Sequence, residues 1–496
     1  MKKFTKLTAL CLALLMAFSL VPVSLAAEAD TCPIVYIPGI SSSKLYHDVN
    51  DPESQIVFPS VDEVKKMVTD KIVPALIVYA ADKDADKLAS VFSEQFNIIF
   101  AGHFNNPDGT PKGNSGAIVK YPSSVSKGSR VTFDWDWRSD PFVAAAKLND
   151  FINYVIDKSG CSKVALASHS LGSVVILTYL DVYGNDKISG IVYDSPAIDG
   201  VNYLGEFLVG NFETDGEALM SIVKTIFGAS EDREFVESIM DVFSLAGIHD
   251  ELSILLNSVF DDLMPVIFRD TLVPLFARWP SIWAMVPEED TKAAMDYIFT
   301  KYLTDEASAA LKSTVEKYNE VKSERYQTLA EFDKDGRFAV ISRYGYASLP
   351  IMDRWAETGD TVIDTNSSSL GATTALMGEV LDDAYLAGKD AAYISPDKTV
   401  DASTCFVPEK TWFIKNLQHS YTNMTSPLYS SLLFGAEEAT CDNFSLARFT
   451  AYDAITESLV EDTSEPEETR EKSPLEVLFN FIRAFFKKIL SFFKIG

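Results

Sequence analysis

The chain has 496 residues, is 47% hydrophobic and carries 43 Lys and Arg against 71 Asp and Glu, a formal net charge of −28. That length leaves room for a large buried core and two or three domains, or for one α/β unit with insertions. So acidic a surface repels phosphate backbones, which excludes nucleic acid as the partner, and no C-x-x-C or Cys/His cluster points to a metal or any other cofactor.

Residues 1–29 read as a secretory signal peptide: M-K-K-F-T-K, an apolar run from Leu7 to Leu20, then small residues at Ala26, Ala27 and Ala29. The run is short for a membrane span, so the protein is expected to be secreted or held at the cell surface. A strand follows at Ile34–Ile37 and ends in Pro38, Gly39 and Ile40. A strand ending this way presents backbone amides at its carboxyl edge, and the Ile40 amide is the natural oxyanion donor. Residues 44–130 form an insertion with helical patterns near Val61–Ala80 and Ala85–Phe100 and a loop from Gly102 to Gly116. His47 and His103 are read as surface or loop histidines, because the base is expected after the nucleophile. The next strand is Val131–Trp135, and the Arg138 fork suits a brace to Asp134 or Asp136. A helix of 3.6-residue period spans Val143–Lys158.

The stretch Lys163–Gly172, K-V-A-L-A-S-H-S-L-G, runs from a buried strand into a helix with Ser170 at the corner. Small residues two before and two after, Ser168 and Gly172, allow the tight turn of a nucleophile elbow, with Leu171 supplying the second oxyanion amide. His169 is expected to face away from Ser170. Another strand, Ile188–Tyr193, continues a strand–helix rhythm that implies parallel pairing with right-handed crossovers. Residues 201–335 lose that rhythm and carry apolar helices, among them Glu217–Phe227, Phe235–Ala246 and Glu251–Phe268. They read as a cap or lid over the site or as an ordinary helical subdomain; a cap more apolar than its own packing needs is what an acyl chain drawn from water requires.

The strand rhythm resumes at Arg337–Tyr344, followed by the polar loop E-T-G-D-T-V-I-D. Of Asp353, Asp360 and Asp364, the one directly after Gly359 is best placed to present a carboxylate. His419 comes last and completes the order nucleophile, acid, base; His249, inside the cap, is its competitor. Serine is a poor nucleophile at neutral pH. It needs an imidazole to take its proton and a carboxylate to hold the tautomer.

The blocks P-G-I-S-S-S-K-L (Pro38–Leu45), D-W-R (Asp136–Arg138), S-H-S-L-G (Ser168–Gly172), G-D-T-V (Gly359–Val362) and Q-H (Gln418–His419) resemble the lecithin:cholesterol acyltransferase family and its bacterial lipase-like relatives. The resemblance implies an α/β-hydrolase fold: a mostly parallel sheet with helices on both faces, its core in residues 30–200 and 336–455, and a helical cap at 201–335. It implies Ser170, Asp360 and His419 as triad, Ile40 and Leu171 as oxyanion donors, and an acyl-ester substrate with water or an alcohol as acceptor. Two departures stand out: Ser168 replaces the usual first glycine, and the second glycine of G-D-G-T-V is missing.

Cys32 and Cys161 precede what read as neighbouring parallel strands, so one disulfide is expected there and another between Cys405 and Cys441. Residues 456–473 read as an acidic linker unable to pack a core. From 474 to 496 an amphipathic helix with a basic stripe is expected to attach peripherally to a membrane or to dock on the protein. The competing function is a hydrolase-fold surface or binding protein that has lost catalysis; oligomeric state is left open.

Overall fold

The computed structural model describes residues 31–60, 63, 66–227, 233–466, 477 and 480. The expected signal peptide and nearly all of the expected C-terminal helix lie outside them. Eight strands build the central sheet: β1 (Ile34–Ile37), β2 (Arg130–Thr132), β3 (Val164–His169), β4 (Ile188–Asp194), β5 (Arg337–Tyr344), β6 (Thr411–Lys415), β7 (Phe449–Asp453) and β8 (Ser458–Glu461). Their spatial order is β8-β7-β6-β5-β4-β3-β1-β2, parallel throughout except for β8, which runs antiparallel to β7.

The middle strands are apolar without alternation because both faces are covered; all six residues of β3 are buried. Two insertion helices, α1 (Val73–Asp82) and α2 (Ala85–Ile99), come first in the chain. Alternate strand positions serve two cores. Leu166, Ile191 and Val340 pack on one face of the sheet, with helices α3 (Pro141–Ser159) and α4 (Gly172–Tyr183). Ala165, Ala167, Val192 and Ile341 pack on the other, with Leu432 and Leu433. Helix α3 starts two residues earlier than its periodicity predicts, because the Asp140 carboxylate accepts from the Phe142 amide at 2.7 Å and Pro141 suits the first turn.

Three expectations change. First, the block 201–335 is not all cap. Among its helices, α5 (Asn202–Val209), α6 (Gly216–Phe227), α7 (Arg233–Leu245) and α8 (Ile248–Ile267) come first, but α9 (Ser308–Ser323) and α10 (Arg325–Asp333) pack back onto α4. Leu311 and Leu329 are wholly buried there in the main core. The insertion joins the earlier helices of this block instead: its helix Ala85–Ile99 packs on α8, and the Tyr79 hydroxyl donates to Asp262. Second, the acidic linker begins later than composition suggests. Leu459 and Val460 belong to edge strand β8, whose pairing needs only backbone groups, and buried Asp462 accepts from the Tyr344 hydroxyl at 2.5 Å. Third, the two expected disulfides are not formed and all four thiols are free. Their sulfurs have polar neighbours: Cys32 meets Ser189 Oγ at 3.0 Å, while Cys405 and Cys441 donate to the carbonyls of Ala402 (3.0 Å) and Thr411 (3.3 Å).

Candidate active site

Ser170 sits between the last residue of β3 and the start of α4 with φ 56°, a left-handed conformation that an L-residue adopts only when its surroundings impose it. What imposes it is visible on both sides. Its amide donates to the Asp194 carbonyl at 3.1 Å, and its carbonyl accepts from the Ser173 amide (3.0 Å) and hydroxyl (2.7 Å). Gly172 has no room for a Cβ, which would run into the Ile37 carbonyl, so helix α4 can close on β1 only with glycine there. Ser168 is tolerated where a glycine is usual: it is fully buried between β1 and β4, its hydroxyl without a partner among the described residues.

The chain after β1 touches this corner. A Cβ on Gly39 would stand 2.7 Å from the Ser170 Cβ. Among the described residues neither the Ile40 nor the Leu171 amide donates a hydrogen bond. Two open amides beside one hydroxyl, with the first turn of α4 behind them, can hold a developing oxyanion. The Trp135–Arg138 segment holds the loop in place: Trp135 Nε1 donates to the Pro38 carbonyl at 2.9 Å and Trp137 Nε1 to the Ser43 carbonyl at 3.1 Å. Arg138 pairs with Asp136 rather than Asp134, through two bonds of 3.0 and 2.8 Å, and also donates to the Gly102 carbonyl.

Asp360 and His419, 59 residues apart in sequence, meet at 2.6 Å between Oδ2 and Nδ1. The His419 amide also donates to the Asp360 carbonyl at 2.8 Å, so backbone and side chain fix the pair together. The other carboxylate oxygen accepts from the amides of Val362 (3.0 Å) and Ile363 (2.8 Å). Burial works against the charge on Asp360. The imidazole beside it, by charge and hydrogen bond, and then the Arg343 guanidinium and the Ile363 amide, nevertheless hold it well below the usual carboxylate range. With Nδ1 committed to Asp360, Nε2 is the nitrogen left to take a proton. Thr361, next to the acid, is left-handed at φ 84°.

His169 does not turn away from the site, as the sequence suggested; its ring lies 4.4 Å from that of His419. Burial, then the charges of His419 and Arg343, push its pKa far down, so it is a neutral packing surface for His419. This contact puts His419 beside residue 169, one position from Ser170. His249, the competitor for the base, lies in α8 with its Nε2 3.5 Å from Asp250, whereas His419 is the histidine paired with Asp360. His47 is exposed as expected, but His103 is fully buried against Phe58, Phe100 and Trp137, and burial followed by the Arg138 charge pushes it down to about 4. Sequence reading misses one pair altogether: Arg343 of β5 and Asp194 of β4, both fully buried, 2.8 Å apart.

No family model matches the chain, and no curated protein matches it. Among solved structures it is similar to one titled "The crystal structure of Tle4-Tli4 complex", with 10% identity, a TM-score of 0.33, and coverage of 81% of this chain and 97% of that one. A superposition this loose carries no chemistry from one chain to the other.

Proposed function

We propose that this chain is an exported serine hydrolase of the α/β-hydrolase fold, similar to the lecithin:cholesterol acyltransferase family, that cleaves or transfers acyl groups of lipid-like esters. The observation that carries the reading is the part-buried 2.6 Å Asp360–His419 hydrogen bond, packed against the residue next to a left-handed Ser170. In this reading Nε2 of His419 takes the Ser170 proton as the hydroxyl attacks the ester carbonyl. The oxyanion rests on the amides of Ile40 and Leu171, and the alcohol leaves with the proton from His419. Water, or a second alcohol, then releases the acyl group.

Two further features support it. The strand order around Ser170 suits a hydrolase: oxyanion loop after β1, nucleophile after β3, acid after β5 and base after β6. Thr361 holds the left-handed conformation at the place where the family pattern carries a glycine. The lipid class is favoured by the apolar residues that cap and insertion leave in water, including Ile254 (65% exposed) and Ile77 (68%). Export rests on the sequence of residues 1–29 alone.

A fluorophosphonate probe tests the reading, since it phosphonylates only an activated serine. Label mapped to Ser170 and abolished in Ser170→Ala supports it; absence of label on folded wild-type protein refutes it in favour of a binding protein. Product analysis on short esters, acylglycerols and phospholipids, with and without added alcohol, then separates hydrolysis from transfer.

A further inference from the structure

Two strand ends that carry no recognisable motif converge behind the site. Asp194 closes β4 and Arg343 lies in β5, with Nη2 to Oδ1 at 2.8 Å and neither side chain exposed. The second nitrogen of the fork, Nη1, donates to the carbonyls of Gln418 and His419, at 2.7 Å each. The second oxygen of Asp194 accepts from the hydroxyls of Thr425 and Tyr429, so the segment after His419 hangs from the same carboxylate. The backbone carbonyl of Asp194 also receives the amide of Ser170. One residue is therefore bonded directly to the hydroxyl-bearing corner and, through a single guanidinium, to the backbone of His419. This route bypasses Asp360.

We propose that the Asp194–Arg343 pair is a positioning strut that sets where His419 stands relative to Ser170, an inference that rests on reading Ser170, Asp360 and His419 as a triad. Stability alone is a weak account of the pair, because well-packed apolar side chains often replace a buried ion pair at no loss. Its geometry is what is specific. A planar fork can bind a carboxylate with one arm and two carbonyls with the other, which an ammonium point charge cannot do. Asp360 orients the imidazole ring; the strut locates the backbone that carries it.

Two variants test this: Arg343→Lys, which keeps the buried charge, and the double variant Arg343→Met with Asp194→Asn, which removes both charges together. Three quantities are followed: the thermal midpoint, the rate constant for phosphonylation of Ser170, and the far-downfield proton resonance of the His419 Nδ1–H bonded to Asp360. If the strut positions His419, folded variants are phosphonylated about 100-fold more slowly, as expected for a misplacement near 1 Å. Their kcat for a soluble ester falls more than KM rises, and the resonance broadens or disappears. A double variant that melts lower but reacts at the wild-type rate per folded molecule, with its resonance intact, overturns the proposal. Should the double variant not fold, Arg343→Lys is judged by the same criteria. If wild-type protein shows the resonance but takes no label, the hydrolase reading fails, and the strut stands or falls on whether the variants lose the resonance.

Discussion

Asp360 uses its two oxygens for different tasks: one takes the amides of its own loop, the other His419. Asp360→Asn keeps an oxygen for the loop but offers the imidazole an amide, which selects the wrong tautomer. We expect the variant to fold and to hydrolyse a soluble ester roughly 10⁴-fold more slowly, the scale known for the same change in a serine protease triad; steady-state kinetics alongside circular dichroism checks it. Ser170, Asp360 and His419 were legible because chemistry restricts their residue types and chain order restricts the choice. Arg343 was not, since R-F-A-V-I-S-R-Y gives no sign of which strand end lies opposite. His103 was misread for a similar reason: the rings that bury it come from Phe58, Phe100 and Trp137, distant in sequence.

Elements whose identity rests on local periodicity were predicted well; β5 was expected at its observed bounds, and α3 and the helices α6, α7 and α8 within a few residues. Strands β7 and β8 escaped notice because both are short and mixed in polarity, and the acidic residues around the edge strand β8 mask its apolar pair. The block 201–335 was recognisable as helical, but its packing partners were not. Helices α7 and α8 expose Phe243, Leu245, Ile248, Leu252, Ile254 and Leu255, near an insertion helix that exposes Val73, Ile77 and Val78. If this surface meets lipid, Ile254→Ser combined with Leu255→Ser lowers hydrolysis of phospholipid vesicles about tenfold, the effect of withholding part of two aliphatic side chains from an apolar phase. Turnover of a soluble short-chain ester falls far less; the ratio of the two rates is the measurement, and an unchanged ratio removes the cap from the argument.

Across the whole molecule, the excess of acidic residues is felt where carboxylates crowd at the join of acid loop and cap. Asp364 accepts from the Asn202 amide at 3.1 Å, and the Asn202 side chain donates to Glu357. Burial and then the Asp364 charge push Glu357 up to about 7. The folded chain thus holds a proton that the unfolded chain releases, and stability is lost as pH rises from about 4.5 to about 7. Glu357→Gln should raise the thermal midpoint at pH 8 and scarcely change it at pH 4, as melts at the two pH values would show. Asp360 acts in the opposite sense. Its folded-state pKa is depressed, so its contribution is full above the ordinary carboxylate range and disappears as pH falls below that range.

Sequence alone determined the parallel α/β plan, the tight corner at Ser170 and the order of the candidate triad, because apolar runs, helical periods and small residues at a turn act over a few neighbouring residues. Only the tertiary structure decided that His169 packs on His419, that helices α9 and α10 at the end of the expected cap belong to the core, and that Asp194 and Arg343 tie one strand end to another. Those outcomes depend on which strands lie side by side, and strand adjacency is settled by burial over the whole sheet rather than by any local stretch of chain.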